Sequence, residues 1–340
     1  MEKKIIFISR LFLPHQGGVE KHLEMLSKVL LKKGYKITIV TGQFNFDMPL
    51  EDDCHGIRIV RIPYFAVNSK RLVWTWMSEH EELFAEADLV HVHDVFWWYW
   101  PIRILQLFKP VYITFHGYEG VAPGFKIILQ RKISEIVCNG SICVGDYIKK
   151  WYKANPSVVT YGAANVRGQK NAGIEKSDIA FVGRFDSDTG IDQYLEAFLK
   201  LKSSLKIDFY GAGPLERMIR LAESKKKSIR LYAWISRPET IYSKYRYIFS
   251  SQYLTILEAM QARRLVFAVY DNEIKKDYLM CHPMHDNMII AGTASELVKK
   301  YNEIAKNPAK EKRMIDAAYI WAKEQTWEKL ADQYEQLWKR

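Results

Sequence analysis

The chain has 340 residues and a mass of 39.9 kDa, enough for two domains at about 150 residues each. Hydrophobic residues make up 48% and charged residues 26%, a globular balance that excludes wholesale disorder, collagen and coiled coil. Lys and Arg total 50 against 39 Asp and Glu, a net charge of +11; such a chain meets anions, whether nucleic acid, acidic lipid or phosphorylated small molecules, and the charge selects none of them.

The amino terminus, MEKKIIFISRLF, runs straight into LPHQGGVEKH with no small-residue cleavage site. Ile5–Ser9 therefore reads as a first strand rather than a signal peptide. No run of about 18 apolar residues is present, so no membrane span is expected. The expected location is cytoplasmic, with a membrane-surface role left open. Cys54, Cys138, Cys143 and Cys281 form no CxxC pair, which speaks against a disulfide scaffold and a structural zinc site.

Short apolar runs recur at Lys4–Ser9, Lys36–Thr41, Ile57–Ile62, Leu89–His93 and Val111–His116. They are nearly continuous, as strands buried on both faces of a parallel sheet must be. Val19–Lys33 places Val19, Leu23, Leu26 and Leu30 at helical spacing, and Gly34 stops it. A second series follows at Ile179–Val182, Lys206–Tyr210, Ile229–Ala233, Tyr247–Phe249, Leu265–Val269 and Met288–Ile290, with helical patterns at Asp192–Leu201 and Pro214–Ser224. Between the series lies Gly162–Ser177, rich in Gly, Asn and charge and without period, which reads as a linker. Ala309–Arg340 reads as one or two closing helices. The fold class is α/β, with two Rossmann-like, doubly wound domains facing across a cleft. Their expected bounds are 1–165 and 166–320, and 321–340 forms a helix returning to the first domain.

Ligands of open α/β sheets bind beyond the carboxyl ends of the strands, and six motifs follow strands. Gly17 and Gly18 open the first helix, where bare backbone and unpaired amides suit an anion; a tight turn explains them equally well. His91-Val92-His93-Asp94 puts two imidazoles on one strand face, which reads as strand-end hydrogen bonding ahead of metal binding. His116, followed by Gly117, leaves an exposed ring suited to a sugar hydroxyl, a phosphate or acid–base work; a buried, satisfied histidine is the plainer alternative. Gly183-Arg184 ends a strand and can clamp a diphosphate, while Asp186 and Asp188 read as turn and cap residues rather than metal ligands. Gly211-Ala212-Gly213-Pro214 is a glycine turn before a helix. Glu258 lies about one turn into the helix containing Leu254 and Thr255, where a carboxylate can hold a ribose diol and first-turn amides can hold phosphate.

In this order the motifs resemble the retaining glycosyltransferases of family 4, of GT-B fold. PHQGGVEKHLEMLSKVLLKKGYKITIVTG, ADLVHVHD and YITFHGYE resemble that family's first half, and SICVGDYIKKWY with VVTYGA the approach to its linker. IAFVGRFDSDTGIDQYLEAF, IDFYGAGPLE and YLTILEAM resemble its donor-binding half. The resemblance implies a hexosyltransferase-type enzyme that moves a sugar from a nucleotide-diphosphate sugar, UDP- or GDP-linked, to a glycan or lipid-linked acceptor. It implies no obligatory cofactor and no metal. It assigns catalytic roles to His116, Arg184 and Glu258. It assigns donor contacts to Gly17, Gly18, Gly183, Gly211 and Gly213, to the backbone at Trp234 and Ile235 beside the nucleobase, and to the amides at Leu254 and Thr255.

Three positions depart from that pattern. Thr189 stands where the family has a lysine, Ser250 where it has the first of two glutamates, and Gln261–Leu265 lacks its Gly and Pro. Arg263, Arg264, Lys275 and Lys276 are candidates to restore the missing charge. These departures keep alive a non-catalytic GT-B-like subunit that binds a nucleotide sugar or a partner enzyme, and, behind it, a nucleotide-sugar epimerase. No nucleic-acid module is recognisable, so nucleic acid is not an expected partner. Phe96–Trp100, with Arg103 and Lys109, and Gly124–Ile136, with Lys126, Arg131 and Lys132, read either as a docking face for an anionic bilayer or as core packing and an acceptor groove.

Overall fold

The computed structural model describes residues 2–117, 122–166, 179–201 and 205–339. Most of the anticipated linker, and Tyr118 and Glu119 after His116, lie outside them. The chain divides into two compact units: Met1–Glu119 with Pro123–Thr160 and Trp327–Arg340, and Tyr161–Thr326.

The first unit contains β1 (Lys4–Ser9), α1 (Gly18–Lys32), β2 (Lys36–Gly42), β3 (Glu51–Cys54), β4 (Ile57–Ile62), α2 (Lys70–Glu79), α3 (Glu81–Ala85) and β5 (Leu89–His93). It continues through α4 (Phe96–Leu105), β6 (Val111–Phe115), α5 (Phe125–Val137), β7 (Gly140–Val144), α6 (Tyr147–Tyr152) and β8 (Val158–Thr160). The second contains β9 (Ile179–Val182), α7 (Ile191–Lys200), β10 (Ile207–Tyr210), α8 (Glu216–Lys225), β11 (Ile229–Tyr232) and β12 (Tyr247–Phe249). After these come α9 (Tyr253–Gln261), β13 (Leu265–Val269), α10 (Glu273–Met280), β14 (Ile289–Ala291), α11 (Ala294–Ala305) and α12 (Pro308–Ala322). The last helix, α13 (Trp327–Trp338), belongs to the first unit.

The first sheet has the order β3-β4-β2-β1-β5-β6-β7-β8 and is parallel except where β3 meets β4. Its inner strands bury both faces: all five residues of β5 and of β6 are buried, which accounts for their unbroken apolar character. The second sheet is parallel throughout, in the order β11-β10-β9-β12-β13-β14. That is the doubly wound arrangement, with its switch point between β9 and β12. Phe181, Phe209, Phe249 and Phe267 from four of its strands join Tyr194 and Phe198 of α7 in one core.

The aromatic cluster at Phe96–Trp100 resolves in favour of packing. Phe96, Trp98 and Tyr99 are buried in α4, and Trp97 alone among the five is exposed. The periodicity of a helix, rather than a membrane boundary, explains the run: successive aromatics turn toward α2 and the sheet. The cations grouped with it are also structural. Arg103 donates to the carbonyls of Leu107 and Lys109, and Lys109 to those of Ala85 and Ala87. Arg131 is buried over the Tyr152 ring and donates to the Gly117 carbonyl. Exposed large apolar residues in this unit include Phe108, at 98%, and Phe125, Leu129, Ile133 and Ile136 of α5.

Candidate active site

In the second unit the predicted donor residues gather at the carboxyl edge of the sheet. The switch point sets the loop after β9 beside the loop after β12. The first loop carries Gly183 and Arg184; the second leads through Ser250 to the amino terminus of α9. Arg184 is exposed, and its guanidinium pairs with Asp186 at 3.4 Å and Asp188 at 2.7 Å. Asp186 also accepts from the Ser187 amide, the capping use its position suggested. Thr189 is buried, and its hydroxyl donates to the Asp186 carbonyl at 2.6 Å. It therefore holds the turn together and offers nothing to a ligand.

Gly211 and Gly213 have a steric reason for being glycine. A Cβ at Gly211 would overlap the Gly183 carbonyl oxygen, and one at Gly213 would lie 2.6 Å from the Phe185 carbonyl oxygen. The two loops join through Gly183 N–H to Tyr210 O, Phe185 N–H to Ala212 O and Leu215 N–H to Phe185 O. The glycine turn thus positions Arg184 by backbone contact. Trp234 and Ile235 follow β11 at the same edge, Trp234 exposed and Ile235 partly so.

Helix α9 begins at Tyr253 behind Gln252, whose side chain makes no cap. The Tyr278 hydroxyl accepts from the Tyr253 amide at 2.7 Å; Leu254 and Thr255 are the second and third residues, and a helix amino terminus attracts anions through its amides and dipole. Glu258 is buried and accepts from the Tyr242 hydroxyl at 2.8 Å. Burial and that carboxylate hold the Tyr242 phenol well above its ordinary range, so it stays a donor. The bond orients Glu258, and a carboxylate retains acceptor capacity for a diol. Ser250 is buried, with its Oγ accepting from the Gln252 amide at 3.2 Å. Sequence reasoning did not find Tyr242; nothing in its local pattern separates it from Tyr245 or Tyr247.

In the first unit, Gly17 precedes α1 in extended conformation, and a Cβ there would collide with the Glu20 carboxylate. Glu20 is buried and pairs with His15 at 2.7 Å. This helix end already has an acidic group of its own, whereas Gly18 is open.

His116 is not the exposed ring expected of it. It stacks on His93 with centroids 5.0 Å apart and meets the edge of His22 at 4.8 Å. His93 Nδ1 and His116 Nε2 are 2.7 Å apart, and the His116 amide donates to Asp94 at 2.9 Å. Burial lowers the His116 pKa to about 3, which leaves the ring a poor base near neutrality. Parallel pairing of β5 with β6 brings the rings together, a long-range register that local sequence does not reveal.

His91 belongs to an adjoining chain of bonds whose first two directions are determined. An indole N–H can only donate, so Trp338 Nε1 donates to His91 Nδ1 at 3.0 Å. His91 Nε2 then donates to Thr114 Oγ1 at 2.8 Å. Thr114 Oγ1 in turn shares a hydrogen bond with the Tyr334 hydroxyl at 2.9 Å, and Tyr334 another with His22 Nε2 at 2.9 Å. The chain ties α13 to β5, β6 and α1 and requires a neutral His91. Burial lowers the pKa of His22, His91 and His93 well below the ordinary value, and their mutual repulsion with His116 adds to this.

A family model described as Glycosyltransferase Family 4 matches residues 16–159. The fold is that of sucrose-phosphate synthase from Thermosynechococcus elongatus, at TM-score 0.79 and 16% identity over 99% of this chain and 98% of that one. Anabaena Alr3699/HepE in complex with UDP and glucose is similar at TM-score 0.71 and 12% identity, covering 98% of this chain and 99% of that chain. A curated relative from Arabidopsis thaliana, a component of phosphatidylinositol N-acetylglucosaminyltransferase, is 30% identical over 61 residues, 18% of this chain and 14% of its own length.

Proposed function

We propose, from the GT-B fold and the match of residues 16–159 to the Glycosyltransferase Family 4 model, that the chain is a retaining, hexosyltransferase-type enzyme using a UDP-sugar. The observation that carries this reading is the switch point of the second sheet. There a loop cation, Arg184, and the first-turn amides of α9 at Leu254 and Thr255 occupy adjacent strand ends. Both suit a diphosphate. The nucleotide in the Anabaena HepE structure supports uridine as the base.

In this reading the bond from the anomeric carbon to the β-phosphate oxygen breaks. The acceptor hydroxyl oxygen bonds the same face of the sugar, and its proton passes to the departing phosphate. Charge developing on the diphosphate is the main barrier, and preorganised donors lower it. Arg184 exchanges its pairing with Asp188 for the phosphates, the α9 amides add to it, and Glu258 holds the ribose. Gly183, Gly211 and Gly213 keep the backbone low beneath the donor, and Trp234 and Ile235 border the base. In the first unit the proposed site residues are Gly17, Gly18 and His116, the last as a neutral ring and not as a base. The reaction runs without a metal, so EDTA leaves turnover unchanged.

The acceptor in this reading is a glycan or a lipid-linked acceptor. Phe125, Leu129, Ile133 and Ile136 repeat along one face of α5 beside exposed Lys126. Such a face suits a cytoplasmic protein that touches an anionic bilayer.

A thermal-shift series with UDP, GDP, ADP and their sugar conjugates tests the reading on the wild type and on Arg184→Ala. Stabilisation by the uridine series that the variant loses, with free UDP released in the presence of acceptor, is the expected result. Buried Ser250 and Thr189 favour one alternative, a binding subunit without turnover. It would show the same stabilisation and release no UDP.

A further inference from the structure

The loop after β9 holds one cation, Arg184, and Asp186 and Asp188 already face it. A nucleoside diphosphate carries several negative charges and calls for more. Three of the four basic side chains downstream make their contacts away from that loop. Arg263 pairs with Asp316 at 2.9 Å and lies over the Tyr319 ring. Arg264 donates to the Ser243 carbonyl at 3.2 Å. Lys276 points outward and pairs with Glu273 at 3.4 Å.

Lys275 differs from them in place and in burial. It is 3% exposed, in the first turn of α10, where its amide donates to the Asn272 cap. Its ammonium lies 4.6 Å over the Tyr278 ring. The Tyr278 hydroxyl accepts from the first amide of α9, at Tyr253, at 2.7 Å, and the two tyrosine rings stack 3.8 Å apart. Lys275 is therefore one aromatic ring away from the amino terminus of α9. The same segment touches the Arg184 loop: a Cβ on Gly190 would strike Val269, and Gln193 donates to the Tyr270 carbonyl at 3.4 Å. Asp188, Asp271 and Arg184 all act on the ammonium electrostatically.

We propose that Lys275 is the second phosphate-binding cation of this site, holding the diphosphate together with Arg184 and the first turn of α9 in place of the lysine that position 189 lacks. The inference rests on the reading that a nucleoside diphosphate binds here. The groups facing Lys275 are Asp188 and Arg184 from the β9 loop, Asp271 from the turn before α10, and Tyr278 on its own helix. Burial lowers its pKa to about 8, against the two aspartates. An arriving diphosphate favours the charged form, so binding weakens as pH rises through about 8 and the free protein loses the proton.

The experiment is calorimetric titration of UDP and of uridine into the wild type, Lys275→Met, Lys275→Arg, Lys276→Met and Arg184→Ala from pH 6.5 to 9.5. Lys275→Met is expected to weaken UDP binding about 10–100-fold, as loss of a charged hydrogen bond does, and to leave uridine binding unchanged. Lys276→Met should match the wild type. Lys275→Arg keeps its charge at every pH tested and should bind UDP without the decline above pH 8, which covers the case in which Lys275→Met fails to fold. Wild-type affinity in Lys275→Met, or a persisting decline in Lys275→Arg, overturns the inference. A wild type that binds UDP through Arg184, indifferent to Lys275→Met, overturns this inference alone. One that binds no nucleoside diphosphate overturns the functional reading with it.

Discussion

Glu258 and Tyr242 illustrate how much of the site depends on single side chains. If Glu258 holds the ribose, Glu258→Gln should weaken UDP about 10-fold, the scale of a charged hydrogen bond made neutral, yet leave 2′,3′-dideoxy-UDP unaffected; equal losses for both nucleotides would refute the assignment. The histidine cluster has a pH consequence. His22, His91, His93 and His116 are held neutral in the folded chain, with folded pKa values below the unfolded value. Their stabilisation is fully present above about pH 6.5 and fades as pH falls, because the unfolded chain takes up protons that the fold refuses. Each group contributes a slope of up to about 1.4 kcal/mol per pH unit below that point. Urea unfolding followed through Trp338 near pH 7.5, 6 and 5 should show the first unit weakening steeply, and His91→Gln should reduce the slope. At this scale the sequence was informative about where candidate residues fall in the fold and silent about their surroundings. Arg184 and Glu258 were legible as types following strands. The burial of Lys275 among four similar cations was not, since burial is decided by packing against Tyr278.

The elements were easier to read where one face or both faces are buried. The six strands of the second sheet appear within a residue or two of their apolar runs, and α7 has the period its core face demands. Strand β3 escaped notice because Glu51-Asp52-Asp53-Cys54 is an exposed, acidic edge with no apolar signal. Edge strands carry charge to discourage pairing with other chains. β7 and β8 escaped because Gly140 and the brevity of Val158–Thr160 weaken their patterns. The two loops that carry Arg184 and the glycine turn act as one element. Gly211→Ala forces a Cβ into the Gly183 carbonyl, and overpacking of this kind costs about 1–3 kcal/mol or more. Denaturant titration should show that loss together with weaker UDP binding, although residue 211 offers no side chain to the ligand. On α5, replacing Phe125 and Ile136 with Asp should abolish sedimentation with phosphatidylglycerol vesicles and leave the melting temperature within about 2 °C, since both side chains are exposed.

For the whole molecule, the decisive feature is that the first unit is not contiguous in sequence. Its sheet is complete by Thr160, but α13 returns to it only after the entire second unit. Trp327, Leu330, Tyr334 and Leu337 of α13 are buried, and a Cβ on Gly140 would strike Leu337. Tyr35 donates to Glu335 at 2.7 Å. On the ribosome this separates two events by the length of unit two. At about 5–20 residues per second, the first sheet waits roughly 10–30 s with its histidine chain open at the Tyr334 and Trp338 positions, and the second unit, whose sheet needs nothing from α13, can close before the unit that was translated first.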